Sequence, residues 1–140
     1  MTNISAAGST PISAVTGDPV VRVASDATVA DVAATLVTSE VGAVVVGDED
    51  LPAALISERD IVRVVAAGKD PAVVPALEVA STKLVWCDAG ATVEEVAVQM
   101  MERYIRHVLV ERDGALVGIV SARDVLGVYS AEAELDFGSA

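Results

Sequence analysis

The chain has 140 residues, with 9 Lys plus Arg against 21 Asp plus Glu, a formal net charge of −12, and one Cys and one His. A single Cys and a single His exclude a Cys/His zinc cluster and an internal disulfide, leaving only carboxylate metal sites open, and so acidic a body repels a polyanion, which argues against nucleic acid. Hydrophobic residues make up 53% but aromatics only 3%, so the core must be built from small side chains, Ala and Val above all.

From the N-terminus, Met1 to Thr10 has neither the basic nor the apolar region of a signal peptide. No later run approaches the ~18 apolar residues of a membrane helix. A cytoplasmic protein is expected, with Cys87 a buried or half-buried thiol in a reducing compartment. Val20 to Val23 is a short β-rich run. Thr28 with Asp31 then forms a helix cap, and Val29, Val32, Ala33, Leu36 and Val37 follow at helical spacing. Gly42 to Val46 and Ala53 to Ile56 flank the acidic stretch Asp48, Glu49 and Asp50. That stretch lacks the remaining ligands of a calcium loop and is expected as a solvated hairpin tip. A helix is expected from Ser57 to Ala67, and Gly68-Lys69-Asp70-Pro71 supplies turn chemistry before the pattern restarts at Pro75.

Sliding the chain by 64 residues aligns Pro11 to Asp60 with Pro75 to Asp124 without a gap, and 13 of those 50 pairs are identical. Some matches follow from the Ala and Val excess. The match of Ser57, Arg59 and Asp60 with Ser121, Arg123 and Asp124 does not. The second copy therefore runs in the same order, with a strand at Leu84 to Cys87 and a capping box between Thr92 and Glu95. Val93, Val96, Ala97, Met100, Met101 and Tyr104 make an apolar helix stripe, read as core or dimer surface. His107 to Val110 and Leu116 to Val120 flank Arg112-Asp113-Gly114, a hairpin signal. A last helix runs from Ser121 toward Tyr129, and Glu132, Glu134 and Asp136 make an acidic tail expected to be mobile.

The predicted fold class is α/β in the α+β sense, with two β-α-β-β-α repeats packed with pseudo-two-fold symmetry. A unit of roughly 60 residues alone would bury only about 60% of its surface. The expected division is an N-terminal segment at 1–10, repeats at 11–68 and 75–129, a connector at 69–74 and a tail at 130–140. A cleft between the copies should then occur twice.

Ser57, Arg59 and Asp60, like Ser121, Arg123 and Asp124, sit where a strand ends and a helix begins. The first amides of a helix lack intrahelical acceptors and favour an anion. A Ser hydroxyl there can bond a phosphate or ribose oxygen, an Asp can accept both hydroxyls of a ribose, and an Arg can reach a phosphate. The competing reading is structural, because Ser-x-x-Asp is also an N-cap worth ~1 kcal/mol. A Ser121→Ala change that lowers stability and leaves ligand affinity intact would select the cap.

The ordered set Ala14-Val15-Thr16, Val20 to Val23, Asp26-Ala27-Thr28-Val29, Gly42 to Val46 and Ala54 to Ile61 resembles a CBS domain, the module of cystathionine β-synthase. Ile105 to Val110, Asp113-Gly114 and Gly118 to Val125 resemble it more closely, and the similarity extends from residue 11 to about 129. The resemblance implies a stand-alone CBS tandem, commonly homodimeric. It also implies a non-enzymatic regulatory module that binds AMP, ADP, ATP or S-adenosylmethionine in inter-repeat clefts as a regulatory ligand. On this resemblance Asp60 and Asp124 match the ribose-holding residue, Ser57 and Ser121 the hydroxyl of that motif, and Arg59 and Arg123 candidate phosphate contacts. Arg106 and His107 match a place where members carry basic residues near phosphates. The first copy has Gly42 and Ala43 there, and Ala54 where the second has Gly118, so the clefts should differ and the second should bind better.

His107 lies beside a hydrophobic strand, where a lone His is more often structural than catalytic. Trp86 replaces Arg22 of the first copy and either stacks on a base or packs. Residues 1–10 and 130–140 are too short to fold as an effector, so output is expected through a separate effector protein or dimer rearrangement. The alternative is a dimerisation or protein-interaction module with vestigial clefts. An enzyme would require an activated nucleophile or metal that the sequence does not display.

Overall fold

The computed structural model describes residues 6–15, 20–47 and 52–138, with only the backbone described for 134–138. The first copy runs β1 (Arg22–Val23), α1 (Val29–Ser39), β2 (Ala43–Val46), β3 (Ala54–Ser57) and α2 (Glu58–Ala66). A short α3 (Ala76–Val79) leads into β4 (Trp86–Asp88), α4 (Val93–Arg103), β5 (His107–Arg112), β6 (Ala115–Ser121) and α5 (Ala122–Gly138). The fold is mixed α+β with two three-stranded sheets, ordered β1-β2-β3 and β4-β5-β6. In each sheet the strands joined through a helix are parallel and those joined by a short stretch of chain antiparallel, as their connections require. The acidic stretch Asp48 to Asp50, Thr16, and the side chains of Glu134 and Asp136 lie outside the described residues.

Local chemistry sets the helix starts. The Thr28 hydroxyl accepts from the Asp31 amide at 3.2 Å while the Asp31 carboxylate accepts from the Thr28 amide at 2.9 Å. Thr92 and Glu95 exchange the same pair at 3.2 and 3.4 Å. Each box satisfies two amides that would otherwise lack partners. At the second hairpin Asp113 and Gly114 take φ of 54° and 80°, the left-handed pair that a two-residue turn needs.

The described parts of residues 1–19 with 85–140, and of 20–84, form two compact units. In the unit containing the second copy, Val93, Val96, Met100, Val108, Val110, Val120 and Val125 bury one core. Val23, Val32, Leu36, Val44, Val46 and Ile56 bury the other. Both cores are largely Val and Ala, as the composition required.

The segments preceding each copy's first strand have roles that their sequence conceals. Ile12 is fully buried in the second copy's core. Its amide donates to the Ala91 carbonyl at 2.7 Å, while the Val93 and Glu94 amides donate to the Thr10 and Gly8 carbonyls at 2.9 and 3.0 Å. These are the first two amides of α4, and with Glu95 capped by Thr92 its opening turn is satisfied. The stretch before β4 serves the first copy in the same way. Val29 and Ala30 of α1 donate to the Val74 and Pro71 carbonyls, both at 2.9 Å, and the Ala76 amide donates to the Ala27 carbonyl at 2.9 Å. Each copy's first helix is thus completed by the segment that leads into the other copy.

One expectation is corrected. The acidic tail is not a loose extension, because α5 continues to Gly138. Ala131, Glu132 and Ala133 are strong helix formers with no breaker among them, and the Glu132 carboxylate accepts from the Ala7 amide at 3.2 Å. Of the three residues ending the α4 stripe, Met100 is core, while Met101 is 77% and Tyr104 93% exposed and so fall on the surface side of the reading. The helix stops at Arg103 and Tyr104 takes a left-handed φ of 54°, so helical periodicity no longer governs where its ring lies.

Candidate functional site

The candidate residues gather at the two strand-to-helix junctions. The β5–β6 register pairs His107 with Ser121, and the β2–β3 register pairs Ala43 with Ser57. The first helical amide is already used at both, with Ala122 donating to the Arg106 carbonyl at 2.8 Å and Glu58 to the Gly42 carbonyl at 3.0 Å. In the second copy the Asp124 amide donates to Ser121 Oγ at 3.1 Å and the Ser121 amide to Asp124 Oδ2 at 2.8 Å. Of the first three amides of α5, only that of Arg123 is left for an anion. Ser-x-x-Asp is therefore a true helix cap here, and any ligand must use what the cap leaves over.

What it leaves differs between the copies. Among the described residues Asp124 Oδ1 has no partner. In the first copy the Asp60 Oδ2 accepts from both the Ser57 amide, at 2.9 Å, and the Ser57 hydroxyl, at 3.2 Å. Its Oδ1 lies 3.7 Å from Arg63 Nη1. The residue matching Arg63 in the second copy is Gly127, which has no cation to offer. Arg63 escaped the sequence reading, although its spacing of three from Asp60 on one helix was the available signal. Arg59, Arg123 and Arg106 are exposed, and His107 is half-buried at the start of β5. The basic residues Arg106 and His107 thus stand beside the capped junction of the second copy only.

The caps predict destabilising Ser substitutions at both junctions. Ser121→Ala strips the Asp124 amide of its acceptor and is expected to cost about 1 kcal/mol in denaturant unfolding. Ser57→Ala breaks the corresponding capping box with Asp60 together with the hydroxyl's 3.2 Å bond to Asp60 Oδ2, and should cost a similar amount.

Cys87 is half-buried in β4 and packs against the second copy's core. Burial, reinforced by the Asp88, Glu111 and Glu95 carboxylates, pushes its thiol up to about 11 from 9.0. A raised pKa favours the folded state while the thiol is protonated, so this contribution is complete below pH 9 and is lost as the pH rises toward 11. Alkylation of the native protein by iodoacetamide should be slow at pH 7–8 compared with an unperturbed free thiol. Fast labelling at pH 7 would contradict the assignment.

Among the described residues no group of three or more His, Cys, Asp and Glu is placed to hold a metal ion. No described helix is long and apolar enough to cross a membrane.

Comparison with known proteins agrees with this architecture. An uncharacterised protein of Methanopyrus kandleri is 36% identical over 87 residues, covering 61% of this chain and 44% of its own. Hypoxic response protein 1 of Mycobacterium tuberculosis is 36% identical over 88 residues, covering 61% of this chain and 62% of its own. The match thus spans less than two thirds of either relative's length. A CBS domain protein of Pyrobaculum aerophilum, solved in complex with AMP, is 32% identical with a TM-score of 0.76, covering 86% of this chain and 96% of that one. The CBS domain profile matches residues 12–67 and again 76–131. With two such matches over most of its length, the chain belongs to the CBS domain family and carries the domain as a tandem pair.

Proposed function

We propose that this protein is a non-catalytic regulatory module that binds an adenosine-containing ligand of the AMP, ADP, ATP or S-adenosylmethionine type. Binding would be relayed through a homodimer contact or a separate effector. The observation that carries the reading is the Asp124 carboxylate, whose Oδ2 is held by the Ser121 amide while its Oδ1 has no partner among the described residues. A carboxylate oriented by a cap is suited to accept ribose hydroxyls without reorganisation. Arg123 adjoins it in sequence and Arg106 stands at the same junction, its carbonyl accepting from the Ala122 amide, so two positive charges belong to this end of an otherwise acidic chain. The AMP bound by the Pyrobaculum aerophilum relative supports the ligand class. Ser57, Arg59 and Asp60 form the weaker counterpart, since Asp60 already faces Ser57 and Arg63. This inequality favours one effective site over two.

A thermal-shift panel of AMP, ADP, ATP and S-adenosylmethionine tests the reading. A ligand at 100 times its dissociation constant stabilises the folded state by about 2.7 kcal/mol, which moves a domain of this size by several degrees. No shift with any of the four would favour an interaction module with vestigial clefts.

A further inference from the structure

The only tryptophan of the chain, Trp86, lies in β4. Its neighbours Val85 and Cys87 both pack against the core beneath α4 and α5. Successive side chains of a strand point to opposite faces, so Trp86 stands on the sheet face away from that core. The register pairs Trp86 with Leu109, Leu109 with Ile119, and His107 with Ser121. Trp86, Leu109, Ile119, His107 and Ser121 therefore share one face, with His107 and Ser121 at the end where α5 begins and Asp124 is held. Trp86 is the diagonal neighbour of His107, a separation of roughly 8 Å given strands ~4.8 Å apart and a rise of ~3.3 Å per residue, comparable to the length of a nucleoside.

The ring is half-buried, not sealed into the core, and its backbone is anchored where Gln99 Nε2 donates to the Trp86 carbonyl at 3.3 Å. In the first copy the same register position is Arg22, opposite Val45. The two copies thus offer a ring and a cation at equivalent places, and a ring is what an uncharged base face needs.

We infer that Trp86 is the base-reading residue of the second repeat, its indole stacking on a purine whose ribose Asp124 holds. This rests on the adenosine reading above and adds to it the residue that distinguishes a nucleoside from a bare sugar phosphate. Titration of the wild-type protein with AMP, followed by calorimetry and by tryptophan emission, is expected to show binding with quenching of Trp86. Trp86→Ala should weaken AMP binding by about 10-fold or more, Trp86→Phe by much less, and neither should change the affinity for ribose 5-phosphate.

AMP that binds the wild type while leaving tryptophan emission unchanged would overturn the inference, and this measurement needs no variant to fold. So would a folded Trp86→Ala protein, checked by circular dichroism, that binds AMP as tightly as the wild type. If the wild type binds none of AMP, ADP, ATP and S-adenosylmethionine, the adenosine reading itself fails, a result distinct from binding that ignores Trp86.

Discussion

Ile12→Ala is expected to destabilise the unit containing the second copy by ~2–5 kcal/mol, the usual cost of truncating a buried Ile. Ile12 is fully buried among Val93, Val96, Met100, Val108 and Val120. Those neighbours are far away in sequence, and the missing side chain would leave a cavity lined by short Val side chains with little reach to refill it. Because a whole domain is held by only about 5–15 kcal/mol, the loss should be plain in a denaturant melt. Val73→Ala, at a position 70% exposed, serves as a control and should stay within about 0.5 kcal/mol. Hydrogen exchange supplies a second readout, since the Val93 and Glu94 amides bonded to Thr10 and Gly8 should lose protection with Ile12. A cost below ~1 kcal/mol would mean that residues 8–12 are not part of the second copy's fold.

Asp124→Asn should weaken adenosine-ligand binding by about 10- to 100-fold, the range expected when a hydrogen bond loses its charge assistance. Asn is the informative replacement, because its amide oxygen can still accept from the Ser121 amide now bonded to Asp124. The cap should largely survive, and the unfolding midpoint of the free protein checks that it has. Asp60→Asn should change affinity by no more than a few-fold, since the Asp60 oxygens already face Ser57 and Arg63. Calorimetry with AMP on both variants decides between the copies. Loss of binding in Asp60→Asn with retention in Asp124→Asn would reverse the assignment.

The helices that begin at Thr28, Ser57, Thr92 and Ser121 and the turn at Asp113-Gly114 were legible because their causes are local. A cap involves a side chain and an amide three residues apart, and a left-handed turn selects its residues one by one. The α4 stripe was legible to Met100 for the same reason, and beyond Arg103, where the helix ends, its periodicity no longer places side chains. The Ser-x-x-Asp motifs were visible as candidates, yet their capping and binding readings share one spacing and could not be separated without the geometry.

The repeat at an offset of 64, the Val-based core and the position of both strand-to-helix junctions were determined by the sequence alone. Only the tertiary structure decided that residues 8–12 complete α4 and 71–76 complete α1. Those bonds join backbone groups distant along the chain, and a backbone carbonyl leaves no mark in the residue code. The inequality of the copies was already written in Arg106, His107 and Gly118 against Gly42, Ala43 and Ala54, and the structure added a second cause by setting Arg63 against Asp60 and leaving Asp124 Oδ1 without a partner among the described residues. The few positive charges in this acidic chain were countable from the start, but which carboxylate each one meets depends on distance.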